Sequence, residues 1–179
     1  MKWIQVFALL ALTSVVGKAE RIIDLENPGF EKGLDGWDKT DDAGMSQAAP
    51  EAIHDGALGL RITDTDAKAG SSLATSKFQV TPGKTYQARF WSRVVSGEGM
   101  GVYIQFFDSA GKLIGSTQEL QIKYDLLPLI LPVGQREWKE FLTRKAAPEG
   151  AVEGRIWIHS FISAQVTADF DDFHLVEMD

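Results

Sequence analysis

Cysteine is absent from the 179 residues, which excludes disulfide bonds, thiolate metal ligands and a cysteine nucleophile. Histidine is scarce, with three residues, and His54 and His174 have no spacing typical of metal ligands. Basic residues are fewer than acidic ones: the chain has 18 Lys and Arg and 25 Asp and Glu, which gives a net charge of −7. An acidic chain is a poor candidate for binding nucleic acid or anionic membrane surfaces.

Long hydrophobic runs are missing beyond the first segment, so we expect no membrane insertion of the remaining chain. The first segment has a positive start at Met1-Lys2, an apolar stretch over 3–16 and small residues before Ala19. This pattern predicts a secretory signal peptide over 1–19 and a secreted protein, extracellular or periplasmic. An N-terminal membrane anchor is the alternative, although the apolar stretch is shorter than the roughly 20 residues that span a bilayer.

Helical periodicity is nearly absent from residues 20–179, for which we predict a single all-β domain. Short runs alternate between apolar and polar residues and are separated by Gly, Pro, Asp and Ser, a pattern typical of a β-sandwich or barrel. A loop is expected over 38–51. The predicted strands are 21–25, 58–62, 73–80, 85–94, 102–108, 113–117, 137–144, 154–162 and 167–177.

The apolar segment 126–133 does not fit a central strand, because Pro128 and Pro132 cannot donate ladder hydrogen bonds. We expect it to cap one end of the sandwich. The alternative is an exposed apolar patch that contacts a partner.

An ordered series of short motifs resembles carbohydrate-binding modules of families four, nine and twenty-two. The motifs are Asn27-Pro28-Gly29-Phe30-Glu31, Gly36-Trp37, Leu58-x-Leu60, Val80-Thr81-Pro82-Gly83-Lys84-Thr85-Tyr86, Phe107-Asp108-x-x-Gly111, Trp138, Pro148-Glu149-Gly150 and Phe170-Asp171-Asp172-Phe173. The resemblance implies a galactose-binding-like jelly roll that binds a polysaccharide or oligosaccharide on its concave sheet without catalysis. Such modules usually accompany a glycoside hydrolase, so a separate hydrolase is an expected partner.

Aromatic, amide and cationic side chains share the polar faces of the predicted middle strands. Aromatic rings stack on the apolar faces of sugars, while amide and guanidinium groups hydrogen-bond to hydroxyls. The arginines favour an anionic or uronate-containing glycan, and the alternative is a neutral sugar, on which arginine also stacks. Phe107 and Phe161 are expected to be covered by loops and to form a second small core. The predicted ligand-binding residues are Gln87, Arg89, Trp91, Tyr103, Gln105, Trp157 and His159.

Two carboxylates lie beside core aromatics, and a buried carboxylate needs a compensating partner. Counting by twos from Phe173 puts Asp171 on the core face of the last strand, and Glu31 follows Phe30. The resemblance implies that Glu31 and Asp171 bind one structural calcium, with the Gly33 carbonyl as a further ligand. The alternative is that both carboxylates pair with arginine or backbone amides and hold no metal.

The sequence contains no Gly-x-Ser-x-Gly elbow, no His-Glu-x-x-His and no phosphate-binding loop, so no enzyme is predicted. Two alternatives stay open. One is a jelly-roll uronate lyase that uses Tyr103, Gln105, His159 and Arg89. The other is a protein-interaction module of the cell surface or matrix that binds through 126–133.

Overall fold

The computed structural model describes residues 20–179, which fold into two antiparallel β-sheets packed face to face. The elements are β1 Arg21–Ile23, β2 Trp37–Asp38, β3 Ser46–Ala49, a 3₁₀ turn Pro50–Ala52, β4 Gly59–Asp64, β5 Leu73–Thr75, β6 Phe78–Gln79, β7 Thr85–Gly97, β8 Met100–Phe107, β9 Leu113–Ile114, α1 Gln118–Lys123, β10 Leu129–Ile130, β11 Lys139–Ala146, β12 Glu153–Ser160 and β13 Val166–Met178.

The strands of the described chain form two separate sheets. The first sheet has the order β11-β7-β13-β4-β3, with β1 also paired to β13. The second sheet has the order β10-β8-β12-β5-β2, with β6 also on β12 and β9 on β8. The prediction of an all-β sandwich of jelly-roll type is therefore confirmed.

The core lies between the sheets and is built from the apolar side chain at every second strand position. In β7, Tyr86 and Phe90 are fully buried. The ring of Phe90 stacks on that of Phe173 in β13, with centroids 5.0 Å apart. Trp37 closes the same cluster, since its ring lies 4.8 Å from Phe30 and 5.2 Å from Phe173. The first motif and the last strand thus share one core.

Three local predictions were wrong. The segment 38–51, predicted as a loop, contains strand β3. Its residues Ser46–Ala49 are small or polar and give no alternating apolar pattern. The predicted strand 73–80 is interrupted between β5 and β6. Helix α1 was missed, although Thr117 caps it by accepting a hydrogen bond from the backbone N of Leu120 at 3.3 Å; six residues are too few to show a helical period.

A bulge in β13 corrects the predicted direction of Asp171. Phe170 pairs with Ser92 and Asp171 with Trp91, but the next pair joins His174 to Arg89, so β13 has one extra residue. The extra residue is accommodated at Asp172, whose backbone has a positive φ of 53°. Because a bulge reverses the alternation of side chains, Asp171 and Phe173 lie on opposite faces. Asp171 is buried on the outer side of the first sheet, not in the core.

The two ends of the described chain lie side by side, because β1 pairs with β13 from Arg21 opposite Glu177 to Ile23 opposite Leu175. The predicted signal peptide 1–19 lies outside the described residues. Within residues 20–179, the structure contains no helix that is long and apolar enough to cross a membrane.

Candidate functional site

The outer face of the second sheet carries a ladder of aromatic and polar side chains. Strands β8 and β12 are paired there, with Gln105 opposite Arg155 and Tyr103 opposite Trp157. Their core-facing neighbours are buried, whereas Tyr103, Arg155, Trp157 and His159 are partly exposed. Alternation along the two strands therefore places these side chains together on one surface. We call the surface formed by Tyr103, Gln105, Arg155, Trp157 and His159 the Trp157 face.

Three rings on the Trp157 face contact one another, and we call this aromatic group the platform. The ring centroids of Tyr103 and Trp157 are 4.9 Å apart, and the His159 ring stacks on Trp157 at 4.3 Å with an interplanar angle of 14°. The indole Nε1 of Trp157 donates to the hydroxyl of Ser72 at 3.0 Å, and the Nδ1 of His159 contacts the Ser71 carbonyl. The β5 side of the sheet thus holds the platform in place.

The Tyr103 hydroxyl is a free polar group of the platform. The structure gives it no hydrogen-bond partner within residues 20–179, and no buried side-chain polar atom there is left unsatisfied, so this hydroxyl reaches solvent. Burial of the ring raises the pKa of Tyr103, which keeps the phenol protonated at neutral pH. It is therefore available to donate to, or accept from, a ligand hydroxyl.

Arg155 supplies the cation of the Trp157 face. Its Nε donates to the Oε1 of Gln105 at 2.7 Å, and its Cζ lies 5.2 Å from the centre of the Phe107 ring. Lys77 reaches the same ring, with its Nζ 4.2 Å from the centroid. Burial lowers the pKa of the Arg155 guanidinium, and the charge of Asp38 opposes this shift.

A cavity with a mixed polar and apolar lining adjoins the His159 end of the Trp157 face. Phe161 follows β12, and its backbone N donates to the Gly99 carbonyl at 2.8 Å. It lines an open cavity of about 540 Å³ together with Ile130, Val133 and Ala164. The segment 126–133 contributes to this cavity as the edge strand β10, in which Leu129 pairs with Val102.

Three of the predicted ligand residues do not lie on the Trp157 face. Gln87, Arg89 and Trp91 belong to β7, in the first sheet, so they lie on the opposite outer side of the sandwich. The prediction that they stand beside Tyr103 and Trp157 was wrong, because β7 and β8 are consecutive in the chain but join different sheets. The same separation removes Arg89 from the lyase set proposed with Tyr103, Gln105 and His159.

Trp91 has its own surroundings on the first sheet. Its ring stacks on His54 at 4.0 Å and 14°, and the His54 ring meets Trp138 at 5.4 Å. The Nδ1 of His54 lies 2.7 Å from the Oδ2 of Asp172. We call the outer side of the first sheet around Trp91, His54 and Trp138 the Trp91 face. Trp91 there packs against neighbours and is only partly exposed.

The two predicted calcium ligands converge on one segment, residues 54–58. Asp171 Oδ2 accepts from the backbone N of His54 at 2.9 Å and of Asp55 at 3.2 Å. Glu31 Oε1 accepts from the backbone N of Ala57 at 2.9 Å and of Leu58 at 3.1 Å. These contacts match the alternative in which backbone amides satisfy both carboxylates.

The Gly33 carbonyl, the third predicted calcium ligand, also has a partner within the protein. The Gly33 carbonyl accepts from the side-chain amide of Asn27 at 3.0 Å. No cluster of three or more His, Cys, Asp or Glu suited to a metal occurs in the part of the chain that the structure describes. Burial raises the pKa of Asp171, and its three backbone hydrogen bonds oppose that shift.

Arg155 and Ser72 are the parts of the Trp157 face that the predicted ligand list omitted. Arg155 stands two residues before Trp157 in a strongly alternating strand, so its position on the same face was readable from the sequence. Ser72 was not, because its contact with Trp157 crosses 85 residues of chain.

Comparison with known proteins agrees with the fold. The model of the carbohydrate binding domain of families 4 and 9 matches residues 25–141. No curated protein sequence matches the chain.

Solved structures of carbohydrate-binding modules align over most of the chain. The CBM22-1 xylan-binding domain of Paenibacillus barcinonensis Xyn10C is 17% identical, with a TM-score of 0.62 over 91% of this chain and 98% of that domain. TmCBM61, in complex with β-1,4-galactotriose, is 20% identical, with a TM-score of 0.54 over 84% of this chain and 95% of that one.

A third structure, the CBM22-1-GH10 modules of Clostridium thermocellum xylanase 10B with xylohexaose, is 16% identical, with a TM-score of 0.57 over 87% of this chain and 28% of that one. At these identities the structures support the fold alone. The family match covers more than half of the chain, and the protein therefore belongs to the carbohydrate binding domain family.

Proposed function

We propose that this protein binds a polysaccharide or oligosaccharide on the Trp157 face and performs no chemistry on it. The observation that carries the proposal is the partly exposed platform of Tyr103, Trp157 and His159, held by hydrogen bonds to Ser71 and Ser72. Pyranose rings have apolar C–H faces that stack on such rings. Gln105 and Arg155 lie alongside to hydrogen-bond with hydroxyl groups.

The Trp157 face is better suited than the Trp91 face to hold a sugar. Its rings are neighbours on two paired strands, so they present one surface with a free phenol and a guanidinium. Each tryptophan has a histidine stacked on it, His54 on Trp91 at 4.0 Å and His159 on Trp157 at 4.3 Å. The Trp91 face differs in its polar groups, since His54 there is paired with the carboxylate of Asp172. Arg93 there is engaged by Asp169 at 2.8 Å and the Glu51 carbonyl at 2.8 Å. Its polar groups are committed within the protein.

A catalytic role has less support. The lyase alternative named Arg89, which lies on the opposite sheet from Tyr103. Arg155 is a cation on the Trp157 face itself, so product analysis decides between binding and cleavage. The raised pKa of Tyr103 also disfavours the phenolate that would abstract a proton.

A structural calcium is a second part of the proposal. It rests on the family resemblance and on the approach of Glu31 and Asp171 to one segment, since carboxylates are ligands that Ca²⁺ prefers. The contacts of that segment with both carboxylates are backbone N–H donors and not carbonyl oxygens. The role of the calcium would be to join the first motif, this segment and the last strand. Secretion is proposed from residues 1–19 alone, and a separate glycoside hydrolase is proposed as partner because modules of this fold accompany such enzymes.

The test is binding to a panel of immobilised poly- and oligosaccharides, with product analysis of the same mixtures. We expect retention on at least one glycan with no new reducing ends and no rise in the ultraviolet absorbance of unsaturated uronates. Product formation would establish an enzyme instead. Retention on none of a broad panel would favour the protein-interaction alternative, to which the exposed side chains of Ile130 and Val133, 55% and 70% accessible, would contribute.

A further inference from the structure

Arg155 differs from the other arginines that are withdrawn from solvent. Within residues 20–179, three arginines are only partly exposed: Arg61, Arg93 and Arg155. Arg61 and Arg93 both bind the buried carboxylate of Asp169, at 2.7 and 2.8 Å. Arg155 has no carboxylate within 4.0 Å among the described residues. Burying a charge without a counter-charge is costly, so this site calls for an explanation.

The nearest acids do not serve as its partner. Asp38 Oδ1 accepts from the backbone N of Thr40 at 2.9 Å and from its hydroxyl at 2.5 Å. Asp38 acts on Arg155 only through its charge, and burial still lowers the pKa of the guanidinium. Glu153 pairs with Lys77 at 2.9 Å. This end of the Trp157 face therefore holds one cation that no side chain neutralises directly.

Arg155 is nevertheless held in position. Gln105 accepts its Nε hydrogen and the side chain lies over Phe107, two restraints on its long stem. The structure gives the Nη groups no partner in the described chain. They are free on the same surface as the aromatic platform, because Arg155 lies two residues before Trp157 in β12. A fixed fork of donors is the arrangement that recognises a planar or tetrahedral oxyanion.

We propose that Arg155 forms an anion subsite, which makes the ligand an acidic glycan whose uronate carboxylate or sulfate ester binds this guanidinium while a neighbouring sugar stacks on Trp157. This inference rests on the proposed function, because it assigns the chemistry of the glycan that the Trp157 face binds. It also accounts for the position of a positive charge on this face of a chain whose net charge is −7.

The experiment compares acidic glycans with their own neutral counterparts. The panel contains uronate-bearing polysaccharides beside the same polymers after carboxyl reduction, and sulfated polysaccharides beside their desulfated forms. Dissociation constants are measured for the wild type, for Arg155→Met, which keeps an apolar stem over Phe107, and for Arg89→Met on the opposite sheet. Thermal unfolding of each variant establishes that it is folded.

We expect the wild type to bind one acidic class at least about tenfold more tightly than its neutral counterpart. Arg155→Met should bind the two members equally, and Arg89→Met should behave as wild type. The preferred pair identifies the anion as carboxylate or sulfate. Equal wild-type affinity for both members, or a preference that survives Arg155→Met, would overturn the anion subsite while leaving sugar binding intact. If no glycan is bound, the proposed function itself fails.

Discussion

The indole Nε1 of Trp157 donates a hydrogen bond to the hydroxyl oxygen of Ser72 over 3.0 Å. Because this bond is made at the edge of the ring, it fixes the indole without using its π face. His159 packs against the same ring at 4.3 Å. The platform is thus oriented before any ligand arrives, which lowers the entropic cost of binding.

Replacing Trp157 should separate binding from folding. We expect Trp157→Ala to weaken glycan binding by about 30-fold, equivalent to about 2 kcal/mol for loss of a central aromatic contact. The side chain lies outside the core between the sheets, so the variant should stay folded, although loss of the contacts with Ser72, Tyr103 and His159 should lower the midpoint of thermal unfolding. The measurements are isothermal titration with the best glycan of the panel and a thermal scan.

Trp91→Ala is the matched control for Trp157→Ala, since Trp91 is a partly exposed tryptophan on the opposite sheet. We expect its glycan affinity to equal that of the wild type. If Trp91→Ala abolishes binding and Trp157→Ala does not, the ligand lies on the Trp91 face and the assignment is wrong.

The sequence was sufficient for the fold and for much of the site because both depend on alternation within single strands. Residues 154–162 alternate clearly, so Trp157 and His159 were assigned to one face of their strand. What the sequence could not supply was the sheet that each strand joins. The polar faces of the middle strands were predicted to form one surface, but the chain crosses from one sheet to the other between β7 and β8. Three β7 residues were therefore assigned to the wrong surface.

Asp171 shows the second limit of such reasoning. Counting by twos is valid only for a regular strand, and the extra residue at Asp172 reverses the count. Nothing in Phe170-Asp171-Asp172-Phe173 distinguishes a bulge from a regular strand, although Asp tolerates positive φ better than most residues do. The carboxylate was correctly predicted to need a partner, but segment 54–58 reaches it from more than 100 positions away.

Gly56 should be intolerant of a side chain because of Glu31. It has φ +75°, and a Cβ there would fall 2.2 Å from Glu31 Oε1. Hydrogen bonds from Ala57 and Leu58 hold that carboxylate, so it cannot move without losing them. We expect Gly56→Ala to lower the free energy of unfolding by about 3 kcal/mol, the sum of backbone strain and disrupted hydrogen bonds. Urea denaturation measures it.

Gly83→Ala controls for the backbone strain at Gly56. Gly83 has φ +81° and nothing within 4 Å of the position of a Cβ, so strain alone should cost about 1–2 kcal/mol. Adding Glu31→Ala to Gly56→Ala should cost less than the sum of the two single changes, because the contact is lost only once. Equal costs at Gly56 and Gly83 would contradict the proposed clash.

Calcium removal tests the proposed metal. If Glu31 and Asp171 share a calcium, then a free calcium concentration of about 100 times its dissociation constant should stabilise the fold by about 2.7 kcal/mol. We therefore expect EDTA to lower the midpoint of thermal unfolding by roughly 5–10 °C, and added calcium to restore it. Glu31→Gln, less stable from the start, should show no such response. A wild-type midpoint that is the same in EDTA and in calcium would show that backbone amides alone satisfy the two carboxylates.

Glu177 should make stability depend on pH. Its carboxylate accepts hydrogen bonds from Arg21 at 2.7 Å and from the buried Tyr86 hydroxyl at 2.5 Å. Arg21 first, and Tyr86 second, hold the pKa of Glu177 below its usual range. A lowered pKa means that the unfolded chain binds the proton more readily, so stability is present above the ordinary carboxyl pKa of about 4.3 and falls as pH drops below it.

Glu177→Gln should consequently be destabilised relative to wild type by about 1 kcal/mol at pH 7, and the difference should shrink as the pH approaches 3. Urea denaturation at several pH values gives both curves. Tyr86→Phe is the control, because the Tyr86 hydroxyl also accepts from the backbone N of Thr81 at 2.8 Å. The hydrogen bond from Thr81 does not titrate, so part of the destabilisation caused by Tyr86→Phe should persist at pH 3. A gap between wild type and Glu177→Gln that stays constant from pH 7 to 3 would mean that this carboxylate does not gain stability from its charge.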